Sequence, residues 1–273
     1  MIDTHCHIDE EAFASDREEV IARQQAAGVE AMIVPGIHVG SIETVLDVCH
    51  RHKGFCYPAL GLHPEEVKEN WQEQLEEVEQ AIRSHRDELV AVGEIGLDYY
   101  WDKTYKEEQK EVLRRQLLLA RELDLPVILH NREATEDMLT IVKECSAFSS
   151  QCSALRGVFH CYSGSKETAE IILNMGFYLG IGGVLTFKNS KLGDTLAELN
   201  KSKIINHKSE IINRLLLETD APYMSPVPFR GTRNESRYIR YVADRLAELF
   251  NTTSEAIIAQ TSANARLLFG IKQ

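Results

Sequence analysis

Short apolar runs rich in β-branched residues alternate with amphipathic helical stretches along all 273 residues, and this alternation constrains the fold more than any single residue does. The runs "IDTHCH", "EAMIVPG", "FCYPALG", "ELVAVGEIG", "LPVILH", "LRGVFH", "GFYLGIGG" and "RLLLETDAP" read as strands. Helical segments such as "EEAFASDREEVIARQQAAG", "KEEQKEVLRRQLLLARELDL" and "EATEDMLTIVKECS" lie between them, the second with leucines three and four residues apart. Apolar strands joined by helical crossovers require a parallel sheet covered on both faces. About eight such units without a Pro/Gly/Ser-rich linker predict an α/β fold, a single-domain (β/α)8 TIM barrel over residues 1–273, rather than an open doubly wound sheet. "NESRYIRYVADRLAELF" and "SEAIIAQTSANARLLFG" read as helices that close it.

Composition narrows the function classes. At 44% hydrophobic and 26% charged residues the chain is expected to be a folded soluble domain rather than a disordered one. A net charge of -12 without a dense Lys/Arg cluster disfavours broad binding to a phosphate backbone, so any nucleic acid has to be held locally. The nearest basic stretch, "KSKIINHK" from Lys201 to Lys208, reads as a solvated loop or helix face. The six cysteines, Cys6, Cys49, Cys56, Cys145, Cys152 and Cys161, form no CxxC pair and sit mostly beside apolar residues, which suits thiols in a reducing compartment. With no leader-like pattern and no run of apolar residues long enough for a membrane span, the expectation is a cytoplasmic protein, with no membrane association and no obligate protein partner evident.

The chemistry collects where strands end. In "IDTHCH", strand alternation would put His5 and His7 on one face and Cys6 on the other. His63 follows the third run, Glu94 lies in the fourth, and His130, His160 and Asp220 end the fifth, sixth and eighth. In a barrel those ends converge on one face. A lone histidine at a strand end is commonly satisfied by a backbone group, but several runs ending "LH", "FH", "GE" and "TD" are hard to explain by packing, because imidazoles and carboxylates are costly in a dry core. Imidazoles with carboxylates suit Zn²⁺, Mn²⁺ or Mg²⁺, and ligands from several strands suit two divalent ions with a bridging carboxylate, for which Glu94 is the candidate. Asp220 is placed to take a proton from an attacking water.

Among nearby basic residues, Arg132 in "LHNRE" and Arg233 in "RGTRNE" are candidate phosphate clamps, with Lys188 and Arg230 close in sequence to the same motifs. His63 in "GLHP" could donate to a phosphate oxygen, ligate, or serve only the turn before Pro64. Ser163 lacks a nucleophile elbow, Cys161 lacks a separate base, and "GIGGV" and "GEIGLD" read as close-packed backbone rather than dinucleotide loops.

At these residues the chain resembles the TatD family of metal-dependent deoxyribonucleases, within the wider amidohydrolase-like metal barrels. The resemblance runs in order through "IDTHCH", "GLHP", "VGEIGLDYY", "LPVILHNREA", "GVFHCYSGS", "LLLETDAPY" and "RGTRNE". It implies a TIM barrel with a two-metal site that hydrolyses DNA ends, with 3′ to 5′ exonuclease behaviour in several members. It further implies one ion held by His5, His7, Glu94 and Asp220, and another by Glu94, His130 and His160. One departure is Ser236, where the family commonly has a proline after the Asn-Glu pair; it bears on the eighth loop and on substrate choice. The leading expectation is a nuclease acting on single-stranded or frayed DNA ends. The alternatives are an amidohydrolase-type enzyme for another ester or amide, including aminoacyl-tRNA or a small phosphoester, and a non-catalytic barrel stabilised by its metal.

Overall fold

The computed structural model describes residues 1–147, 153–202 and 210–272. Cys152 and residues 203–208 of the basic stretch lie outside the described residues. In chain order the elements are β1 (Ile2–Asp3), α1 (Arg17–Ala26), β2 (Ala31–Pro35), α2 (Ile42–Arg51), β3 (Cys56–Leu60), α3 (Trp71–Ser84), β4 (Ala91–Asp98), α4 (Lys106–Glu122) and β5 (Val127–Arg132). They continue with α5 (Thr135–Ala147), β6 (Gly157–Phe159), α6 (Lys166–Asn174), β7 (Tyr178–Ile181), α7 (Leu192–Ser202), β8 (Leu215–Leu217), α8 (Ile239–Phe250) and α9 (Ser254–Phe269). The strands follow one another in a single sheet in chain order. Strand and helix alternate as the hydrophobic pattern predicts.

The chain divides into two compact units, one of residues 35–159 and one of residues 1–34 with 160–273. In the first, β3, β4, β5 and β6 pair in parallel, with Leu60 opposite Val92, Gly96 opposite His130 and Ile128 opposite Val158. Val92, Ile95, Ile128 and Leu129 are fully buried, as are Leu113 and Leu117 on α4. Burying a leucine side chain of this kind contributes about 1.5–3 kcal/mol, so the leucine stripe suffices to seat α4. The β4–β5 register shifts between Val92 and Ile95. Such a bulge re-aims the side chain it carries, and Glu94 lies in it. At Gly96 an added Cβ would fall 1.9 Å from the His130 carbonyl oxygen, so only glycine lets β4 lie this close to β5 at the strand end.

In the second unit β7 pairs with β8 and β1 with β2, all in parallel. The amide of Thr4 donates to the Leu217 carbonyl at 3.1 Å, and Cys6 bridges Ala221. The strand β1 is shorter than "IDTHCH" because the Asp3 carboxylate accepts the His5 amide at 3.2 Å and takes it out of the ladder. The later segments become α8 and α9, whose Ile239, Val242, Leu246, Ile257 and Leu268 are buried.

Candidate metal centre

The unit formed by residues 1–34 and 160–273 carries one group of donors. His5 and His7 bring their Nε2 atoms to 3.1 Å, and Asp220 Oδ1 lies 3.7 Å from the first and 3.6 Å from the second. The alternation expected of "THCH" is preserved although the regular strand has ended. The rings of His5 and His160 stack with centroids 3.9 Å apart. Asp220 sits at φ 57°, a left-handed conformation that aspartate tolerates better than most residues, and its amide donates to the His5 carbonyl at 2.9 Å.

Buried polar groups fix this cluster. Asp3 accepts the amides of His5 and Thr219 at 3.2 and 3.0 Å and the Thr219 hydroxyl. Burial pushes its carboxyl up to about 7, against hydrogen bonds from Ser236, Thr219 and the His5 amide that favour the ion. Burial likewise raises Asp9 to about 7. Glu218, fully buried, accepts from the Cys161 amide, and its Oε1 stands 3.5 Å from His160 Nδ1. A Cβ at Gly180 would meet Glu218 Oε2 at 2.1 Å, so the glycine-rich strand β7 leaves room for this carboxylate.

The unit formed by residues 35–159 carries the other group. His130 is held at both ring nitrogens, with Nδ1 2.9 Å from Glu94 Oε1 and Nε2 2.9 Å from Asp98 Oδ2. His63 Nδ1 accepts the Glu65 amide at 3.2 Å, which leaves the proton on Nε2, 3.4 Å from Glu94 Oε1. The histidine therefore caps the turn Pro64–Glu66 and faces the bulge carboxylate as well. Burial alone would raise Asp98, but hydrogen bonds from His130 and from the Tyr100 and Trp101 amides outweigh it and hold the carboxyl below its ordinary range.

His5, His7 and Asp220 form one group of donors that could hold a metal ion, and His63, Glu65 and His130 form another. Imidazole nitrogens with carboxylate oxygens are the donor set of Zn²⁺ and Mn²⁺ sites, so the residues present fit a divalent ion. Glu65, and the supporting carboxylates Asp3, Asp98 and Glu218, were not anticipated from sequence. "GEIGLD" and "LLLETD" do contain an acid four residues after or two before a candidate ligand, a signal that becomes usable only once the strand register is known.

The basic candidates separate. Arg132 is exposed, and its guanidinium lies 3.8 Å from the Tyr100 ring centroid and 5.1 Å from that of Trp101. Arg233 donates to both oxygens of Asp16, at 2.8 and 2.6 Å, and to the Ala12 carbonyl at 2.6 Å. Its neighbour Asn234 donates to the Thr219 and Tyr223 carbonyls, and Glu235 accepts from Arg23, so "RGTRNE" braces the segment that carries Asp220. Ser236 opens the 3-10 turn Ser236–Tyr238 with its hydroxyl 3.0 Å from Met32 Sδ. Lys188 and Arg230 are exposed, the latter over the Phe187 ring at 3.7 Å.

These strand-end donors are those of a metal-dependent hydrolase, and known proteins agree. Residues 2–270 match the family described as TatD related DNase. The uncharacterized metal-dependent hydrolase YabD of Bacillus subtilis is 42% identical over 272 residues, 99% of each chain. The 3'-5' ssDNA/RNA exonuclease TatD of Erwinia amylovora is 32% identical over 275 residues, 99% of this chain and 100% of the other. The crystal structure of YjjV, a TatD homologue from Escherichia coli, superposes with a TM-score of 0.87 at 34% identity, covering 100% of this chain and 98% of that one. The chain belongs to the TatD family of metal-dependent hydrolases, and its fold class is the (β/α)8 barrel expected from the strand and helix alternation. Among the described residues, no helix is long and apolar enough to cross a membrane.

Proposed function

We propose that this chain is a metal-dependent deoxyribonuclease that removes nucleotides from the 3′ ends of single-stranded or frayed DNA in the cytoplasm. The observation that carries the reading is the convergence of His5, His7 and Asp220, two imidazoles and a carboxylate within 3.7 Å at the ends of β1 and β8. Support for a phosphodiester substrate comes from the exonuclease named in Erwinia amylovora, similar to this chain over its whole length.

In this reading His5, His7, Glu94, His130, His160 and Asp220 are the ligands of two divalent ions, Mg²⁺, Mn²⁺ or Zn²⁺. Such ions supply acidification of water and neutralisation of charge on phosphate oxygens. Asp220 takes the proton of the attacking water. Glu94 is the carboxylate shared by both ligand sets, and its place in the β4 bulge gives it an aim that a regular strand would not. His63, protonated at Nε2, donates to a phosphate oxygen once the substrate is bound. Arg132 and Arg233 contact the substrate, the latter from the eighth loop, where its bonds to Asp16 hold the segment after β8 in place.

The test is release of nucleotides from a 3′-labelled single-stranded oligonucleotide with Mg²⁺ or Mn²⁺ and with chelator, beside a panel of lactones, phosphotriesters and hydantoins. Metal-dependent shortening from the 3′ end is the expected result. Faster turnover on any member of the panel than on DNA overturns it in favour of the ester or amide chemistry of related barrels.

A further inference from the structure

Beyond the ligand clusters, residues 98–101 and Arg132 form an arrangement that metal binding does not require. Tyr100 and Trp101 lie in the loop after β4, beyond the buried Tyr99, and remain 48% and 65% exposed, although they are among the largest apolar side chains of the protein. Their rings meet edge to face with centroids 4.8 Å apart and planes at 84°. The Arg132 guanidinium, on the paired end of β5, lies over the Tyr100 face. It has no carboxylate or carbonyl partner among the described residues, whereas Lys68 and Lys103 nearby are answered by Asp102 at 3.9 Å and Glu133 at 4.0 Å.

The loop is also held. Asp98 Oδ1 accepts the amides of Tyr100 and Trp101 at 2.8 and 3.3 Å, while Oδ2 of the same carboxylate faces His130. One side chain thus fixes the imidazole of a candidate ligand and the backbone of two exposed aromatics. Exposed aromatic faces beside an unpaired guanidinium are what an unstacked nucleobase and its phosphate require, because every base has a π-face and the cation answers the backbone charge. A paired duplex keeps its bases stacked inside and cannot use such a surface.

We propose that Trp101, Tyr100 and Arg132 form a stacking subsite for an unpaired nucleobase, so that single-strandedness is read by the loop after β4. The inference rests on the nuclease reading and names the part of the substrate that the site recognises. It gives a chain of net charge -12 a local means of holding nucleic acid.

The experiment is fluorescence anisotropy with a 5′-labelled thymidine hexanucleotide, in chelator so that no turnover occurs. It is compared with two hexanucleotides that are abasic at the last or the penultimate 3′ position. Wild-type protein is expected to bind at least one abasic oligonucleotide about tenfold more weakly than the intact one. Trp101→Ala is expected to abolish that discrimination, and Trp101→Phe to keep most of it. Equal discrimination in wild type and Trp101→Ala, or none in wild type, overturns the subsite. Discrimination at Trp101 by a protein that leaves DNA intact when metal is restored supports the subsite and removes the nuclease reading. Metal-dependent cleavage without discrimination does the reverse.

Discussion

The two donor groups are built on opposite plans. In the unit of residues 35–159, His130 is gripped at both nitrogens by carboxylates from β4, so the orientation of the ring is set before any ion arrives. In the unit of residues 1–34 and 160–273, the imidazoles of His5 and His7 face each other, and the bracing falls on the backbone through Asp3 and Thr219. The first plan controls a side chain and the second controls a chain path. A carboxylate behind a ligating histidine tunes affinity and basicity, whereas a buried acid that satisfies backbone amides contributes mainly to stability.

Substitutions at the two supporting acids sharpen this contrast. In Asp98→Asn the carbonyl oxygen stays on the Tyr100 and Trp101 amides, and the new NH₂ group then faces His130 Nε2. His130 is forced to protonate at Nδ1, the nitrogen that faces Glu94. Metal affinity and activity are expected to fall about 10- to 100-fold, measured by isothermal titration with Mn²⁺, with little change in the thermal midpoint. Asp3→Ala leaves the buried His5 and Thr219 amides without their acceptor, at a cost of about 1–3 kcal/mol. That corresponds to a fall of several degrees in the thermal midpoint of the metal-free protein. A large stability loss in Asp98→Asn with none in Asp3→Ala would break the distinction.

The smallest effect concerns the loop brace. Hydrogen bonds from Arg233, then from Arg23, lower the Asp16 carboxyl to about 2, below its ordinary value of 3.8. The depressed folded-state value means that the pair stabilises the fold above about pH 4 and that this contribution is lost as pH falls toward 2. The thermal midpoint of Asp16→Asn should therefore lie below wild type near neutrality and approach it at the acid end. A constant difference between the two across that range would show that Asp16 acts through packing instead.

Much of this was legible in the residues themselves. The eight apolar runs became β1 to β8, and runs ending in His, Glu or Asp carry the donors, because strand alternation and strand ends are local properties. The supporting acids were not legible. Asp98 meets His130 only through the β4–β5 register, and Asp3 meets Thr219 across 216 positions of sequence. Arg132 and Arg233 looked alike as clamps beside charged motifs. They differ because Asp16, 217 positions away, accepts from one, while two aromatic rings lie beneath the other.

The most direct test is the Mn²⁺ dependence of nucleotide release from a single-stranded oligonucleotide by wild type and by Glu94→Ala, with folding of the variant checked by circular dichroism. Saturable, chelator-sensitive release by wild type and background release by the folded variant are predicted. Release that survives chelation, or a Glu94→Ala variant that works at the wild-type rate, would contradict a metal-dependent nuclease built on these strand ends.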